Sequence, residues 1–262
     1  MPSVTSMPSA TLMRSVTLSM VLDDTIDELR SVALAADDAS GHFPAMYARV
    51  TDRIRQAAAA GEFGDGDGMV RFARAFAGWY LRPRSGVEPI PGSWRAAWDV
   101  AVDRRLLIVQ HLLLGINAHV NHDLGQVVVE LADERGDRSL ADMRADFDTV
   151  NAVLAATMPD VMRDLGRSSR WVNTAAAWGA DRWFHFSLEA AREQAWRFAE
   201  RTHPLDVEGR RYAAQELDEL VRVLAVLITR PAWPARWFVP LGRWLEDDDP
   251  KAVTIGLLGD LA

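Results

Sequence analysis

The sequence predicts an all-α fold, a single compact multi-helix bundle of about seven or eight helices. Three observations carry that expectation. Alanine and leucine dominate a chain that is 49% hydrophobic, Val-Ile-Thr-rich alternating runs are scarce, and apolar residues fall at helical spacing. With 262 residues the chain can bury a sizeable core. Residues 1–21, rich in Ser, Thr and Met, are expected to form a disordered N-terminal tail, and 22–262 a single all-helical domain.

Taken in order, LDDTIDELRSVALAAD reads as a first helix starting near Asp24 or Thr25, with acids in its first turn. FPAMYARVTDRIRQAAAA is a second, closed by Gly61, and GDGDG is a turn before a third, MVRFARAFAGWYLR. After a loop with three prolines, Ser93 caps a long apolar segment reaching Glu134, which Gly115 and Gly125 are expected to bend or break. DRSLADMRADFDTVNAVLAATM follows, with Pro159 marking a kink or restart. Two further helices cover roughly Trp171 to Thr202 and VEGRRYAAQELDELVRVLAVLIT, and the C-terminal tail, rich in Trp and Pro, is expected to wrap the body irregularly.

Composition excludes several classes. A net charge of −8 and a pI near 5.3 argue against a nucleic-acid or anionic-membrane partner. Without cysteine there is no disulfide framework, zinc finger or thiol nucleophile. Lys251 is the only lysine, so Schiff-base and P-loop chemistry at an upstream lysine are excluded. No apolar run reaches the ~18 residues of a membrane span, which makes the cytoplasm the expected location. GxSxG, HExxH and GxGxxG are absent.

The chemistry concentrates in two segments. His119 and Asp123 lie four apart in GINAHVNHDLGQVV, and His185 and Glu189 repeat that spacing in WFHFSLEAAREQAW. Four residues of α-helix turn through about 400°, so each pair projects from one face. Two such pairs on two helices can build an oxygen/nitrogen metal site inside a bundle. His111 and His122 share the polar stripe of the first segment, although His111 lies about 18 Å along the axis from Asp123 and would serve a second metal, the substrate, or nothing. The same residues read equally as hydrogen-bonded polar groups on a half-buried face. Gly115 either admits another helix or a ligand to the backbone, or is a simple bend. On the second segment, Arg192 follows Glu189 and can be a surface ion pair or, if buried, a clamp for an anionic group; Glu193 is a candidate proton acceptor. Trp183 and Trp196 flank the pair and allow an aromatic-walled pocket. Asp23-Asp24-x-x-Asp27 has the spacing of the magnesium-diphosphate motif of class I terpene synthases, but N-terminal helix capping explains it better.

HLLLGINAHVNHDL, with PAMYARVT upstream and AREQAW downstream, resembles the bacterial family of unknown function DUF5995 across most of residues 22–230. That resemblance implies one compact helical unit and a focus on His119 and Asp123. The two His-x3-acid pairs, preceded by Asp99 and His111 twelve residues apart, are also similar to the ligand order of the zinc-dependent phospholipase C/P1 nuclease group. The histidine expected between the pairs and the N-terminal tryptophan ligand are missing, so that likeness implies one or two metals.

The leading expectation is therefore a metal-dependent hydrolase of a phosphoester or related ester. His119, Asp123, His185, Glu189 and, for a second ion, His111 would hold zinc, manganese or magnesium; Glu193, Arg192 and His122 would serve the chemistry. A second expectation is a metal-free cyclase- or lyase-type enzyme of secondary metabolism, with an aromatic-lined pocket for a hydrophobic substrate and His119/Asp123 as acid/base pair. A third is a non-enzymatic helical binding protein. All three share a partly hydrophobic small-molecule partner.

Overall fold

Capping acids fix where several of the helices begin. Asp65 accepts from the Gly68 N–H, Asp206 from the Gly209 N–H, and Asp249 from the Lys251 N–H with Pro250 at the first helical position. The computed structural model describes residues 10–86, 88–135, 140–172, 180–231 and 238–262, with side chains throughout except at 10–21, 180–186 and 238. Its α-helices are α1 (Ala10–Ala35), α2 (His42–Ala59), α3 (Gly66–Arg84), α4 (Gly92–Trp98), α5 (Ile108–Ile116) and α6 (Leu124–Arg135), followed by α7 (Ala141–Ser168), α8 (Ala180–Thr202), α9 (Val207–Thr229), α10 (Phe238–Trp244) and α11 (Pro250–Leu258). Among the described residues there is no strand; an isolated antiparallel bridge joins Ser169 to Glu246. No described helix is long and apolar enough to cross a membrane.

The all-α expectation holds, with more helices than anticipated. The interior divides into two apolar clusters. One gathers Leu29, Phe43, Tyr80, Trp94, Leu114 and Leu257; the other gathers Leu22, Phe72, Leu124, Val127, Phe147 and Trp196. The segment joining α5 to α6 contributes to both and packs against α3, α4, α8 and α9, which places it at the centre of the bundle.

Five boundaries differ from expectation, each for a physical reason. Ser93 is not a cap: α4 starts at Gly92 after Pro91, and Asp218 of α9 accepts from the Gly92 and Ser93 N–H groups in place of a capping side chain. α1 begins at Ala10, inside the stretch expected to be a disordered tail; Asp23, Asp24 and Asp27 therefore sit mid-helix and exposed, where Asp23 meets Arg55 at 3.3 Å and Asp27 meets Arg30 at 3.5 Å. They are neither a helix cap nor a diphosphate site. The long segment after Ser93 breaks at residues 99–107, not at Gly115 or Gly125. α7 continues through Pro159 without a restart: a proline removes one ladder bond, and a helix anchored by buried Phe147, Val150, Val161 and Leu165 absorbs that loss. The C-terminal tail is helical where described, because Asp249-Pro250 starts a helix whose Val253, Leu257 and Leu258 enter the core. Buried Glu246 fastens the tail by accepting from the Ile108 N–H, the Ser169 hydroxyl and the Trp171 indole.

Candidate functional site

Between α5 and α6 the helix widens into a π-helical stretch, Asn117–Asp123, in which the Leu124 N–H reaches the His119 carbonyl five residues back. Such insertions occur frequently at functional sites. Side chains hold this one from outside: the Asn117 amide donates to the Val221 carbonyl at 2.9 Å, and the Asn121 amide to Asn117 Oδ1 at 2.9 Å. Glycines bracket it because neighbouring elements come too close for a side chain. A Cβ on Gly115 would lie 2.5 Å from the Phe43 ring; one on Gly125 would lie 2.7 Å from Phe198 and 2.8 Å from the Ala195 carbonyl. Of the two readings of Gly115, close approach by another helix is the one observed.

The wide turn presents His119, His122 and Asp123 around one carboxylate. Asp123 is wholly buried. Its Oδ2 meets His119 Nδ1 at 3.0 Å and accepts from the Trp94 indole N–H at 2.9 Å; its Oδ1 meets His122 Nδ1 at 2.7 Å. The two imidazoles face different surroundings. His122 Nε2 lies 3.2 Å from the Gln126 amide nitrogen and 3.8 Å from Asp218 Oδ1, on a carboxylate that is partly exposed. His119 turns into an aromatic nest: its ring stacks on Phe76 at 3.6 Å with an interplanar angle of 8°, and Tyr47 meets it edge-on at 4.5 Å.

With Nδ1 against a carboxylate oxygen, the single ring proton of a neutral His119 belongs on Nδ1, which leaves Nε2 as a bare lone pair. Burial pulls the ring below its ordinary pKa against the opposing hydrogen bond from Asp123, so it is neutral at pH 7. Nε2 is fully buried and has no hydrogen-bond partner. His119 lines a cavity of about 100 Å³, walled by apolar residues such as Phe43, Tyr47, Phe72, Phe76 and Met158. A buried polar atom left without a partner costs on the order of 1–3 kcal/mol unless a ligand or a local rearrangement satisfies it.

The remaining expected site residues scatter. Glu189 is exposed and does not line the cavity, because α8 turns Leu188 and Arg192 towards it instead. The side chains of His185 and Trp183 lie outside the described residues. Trp196 packs in the core against Phe147, 5.0 Å away, and its indole donates to Glu200. Glu193 is held by Arg144 at 2.8 Å and Arg197 at 2.9 Å, which keep its carboxyl below the usual range and make it a poor proton acceptor. Asp99 is exposed at the end of α4. His111 sits apart with His42, their ring centroids 6.2 Å from each other. Among the described residues no group of three or more His, Cys, Asp or Glu is placed to hold a metal ion. Arg192, by contrast, is 3% exposed and lines the same cavity as His119.

Sequence reasoning missed Trp94 as a ligand of Asp123 and missed the aromatic nest. The nest had a signal: Phe43-x3-Tyr47 and Phe72-x3-Phe76-x3-Tyr80 repeat the four-residue spacing that puts aromatic rings on one helical face.

The match to a family model is decisive for membership: it spans residues 22–231 and so takes in the whole of this constellation. The chain belongs to DUF5995, a family of unknown function. No curated protein and no solved structure matches. The likeness to the zinc-dependent phospholipase C/P1 nuclease group thus finds no support, while the resemblance to DUF5995 is confirmed over nearly the span expected.

Proposed function

We propose that this DUF5995 protein is a metal-independent enzyme that performs acid–base chemistry on a small, largely apolar molecule held beside His119. The observation that carries this reading is a buried, unpartnered Nε2 on His119, a residue that lines an apolar cavity, with Asp123 fixing the tautomer from the other side. A neutral imidazole oriented by a carboxylate is a competent general base, and exclusion of water strengthens its pull on a bound O–H or acidic C–H. The second imidazole gives the proton a way out, since His122 shares Asp123 and approaches partly exposed Asp218. A metal-dependent hydrolase at the same place would have fewer donors than the sequence promised. Asp123 already receives three N–H groups, Glu189 is turned outward and His111 is elsewhere.

Alkylation by phenacyl bromide, an apolar electrophile, tests this reading. Attack by the Nε2 lone pair on the bromide-bearing carbon forms the N–C bond and expels bromide. Peptide mapping is expected to find His119 as the main adduct, ahead of the more exposed His203, with phenol protecting it more strongly than toluene. Labelling spread over surface histidines would overturn the proposal. So would a stoichiometric metal ion, by elemental analysis, that His119→Gln releases.

A further inference from the structure

The cavity beside His119 has a second polar feature that acid–base chemistry at an imidazole does not use. Arg192 of α8 is 3% exposed in a wall otherwise dominated by apolar side chains. Two of its N–H groups are satisfied: Nε donates to Asn151 Oδ1 and Nη2 to the Phe147 carbonyl, both at 2.6 Å. Its guanidinium carbon lies 4.2 Å from the Phe147 ring centroid. These contacts fix its position, yet they are all neutral. No carboxylate among the described residues forms an ion pair with it, and the neighbouring Asp148 is bound to Arg144 at 2.8 Å. Burial lowers its pKa to about 10, so it stays cationic at neutral pH. Asp148 acts on Arg192 only through space and offsets its desolvation in part, so no carboxylate in contact compensates the buried charge, and a guanidinium fork matches the two oxygens of a carboxylate.

The cavity does not end at this pair. A larger apolar hollow of about 750 Å³ adjoins it and shares Met46, Ile116, Val120, Met158, Val161 and Leu188 with its wall. A dry cavity of roughly 150 Å³ already accommodates benzene, so the two spaces together suit a molecule with a head at Arg192 and His119 and an extended hydrocarbon tail.

We infer that the ligand of this cavity is an amphipathic carboxylic acid, its carboxylate bound by Arg192 and its apolar chain lying in the adjoining hollow. The inference rests on the cavity reading above and adds the chemical class of the substrate.

Calorimetric titration of the full chain with sodium octanoate and with 1-octanol at pH 7.5 separates the two. Octanoate is expected to bind at least about tenfold more tightly than octanol. Arg192→Gln should remove that preference and leave octanol binding unchanged; Arg192→Lys, which retains the charge, should keep part of it and covers the case in which the glutamine variant does not fold. Equal binding of the two probes to the wild-type protein, or an undiminished preference in folded Arg192→Gln, would overturn the carboxylate assignment while leaving the cavity reading intact. Binding of neither probe would overturn both.

Discussion

Two buried histidine clusters stand at different places in the bundle, and they differ in what surrounds the imidazoles. In the first, His42 Nδ1 meets the Thr254 hydroxyl at 3.0 Å and His111 shares a hydrogen bond with the Asp103 backbone. Neither ring lines the apolar cavity, and neither has a fully buried nitrogen without a partner. In the second, His119 shares Asp123 with His122 and Trp94 and keeps one nitrogen unsatisfied at a cavity wall. All three of His42, His111 and His119 are pulled below their ordinary pKa, chiefly by burial. A depressed imidazole pKa therefore does not mark a functional site in this protein. A buried nitrogen without a partner, on a residue that also lines a cavity, is what sets His119 apart, because only that arrangement leaves something for a ligand to complete.

The comparison can be broken most strongly at Asp123. Asp123→Asn replaces one acceptor oxygen with an NH2 group, which either meets the obligate indole N–H of Trp94 or forces the facing imidazole to shift its proton from Nδ1 to Nε2. A buried mismatch of this kind costs about 3 kcal/mol, or roughly 10 °C in Tm for a chain of this size. Alkylation of His119 should fall at least about tenfold, since the ring loses the partner that fixes its tautomer. Differential scanning calorimetry with peptide mapping checks both; a stable variant with unchanged labelling would show that Asp123 does not orient His119.

Acid is the second lever, and it acts on the structural cluster. Burial and the neighbouring His111 hold His42 at about 3 against the opposing field of Asp38, from an ordinary value of 6.5. The unfolded chain takes up that proton more readily than the native one. The stabilising share of neutral His42 is thus complete above pH 6.5 and is lost as pH falls from there towards about 3. Between pH 7 and pH 4 the loss is on the order of 3 kcal/mol from this residue alone. Denaturant midpoints of the wild-type protein should drop across that range, and His42→Gln should flatten the drop. An equally steep drop in the variant would place the acid sensitivity elsewhere.

Much of this was legible in the sequence. Helical spacing gave the fold class, α2 and α9 nearly to the residue and the middle of α3, because each carries an apolar face. His119, Asp123 and Arg192 stand out in the sequence as polar residues in an apolar setting, and all three are buried. What spacing could not show was direction. Glu189 lies three residues before Arg192, close enough on a regular helix to share its face, yet the packing of α8 sends one outward and the other into the cavity. Regular pitch already put His119, His122 and Asp123 on one stripe; what it could not show was the π-helical turn in which both imidazoles meet the same carboxylate. Trp94 was unreadable for another reason. It reaches Asp123 from a separate helix, across the break at residues 99–107 that no glycine or proline announces.

Trp94 also gives the smallest expected effect and the sharpest one. Its indole N–H is one of three donors on Asp123, and its ring, 1% exposed, packs against Phe43 and Tyr80. A truncation would mix lost packing with the lost hydrogen bond, so the informative change is the benzothienyl analogue of tryptophan, which keeps the ring shape and lacks the N–H. That change removes one hydrogen bond to a carboxylate and leaves the carboxylate two others, for a cost of about 1–2 kcal/mol. His119 Nδ1 still faces Oδ2, so alkylation of His119 should stay within about twofold of the wild-type rate. Stability and labelling should thus separate here, whereas they fall together in Asp123→Asn. A large loss of labelling in the analogue would mean that the indole, and not the carboxylate alone, sets the imidazole in place.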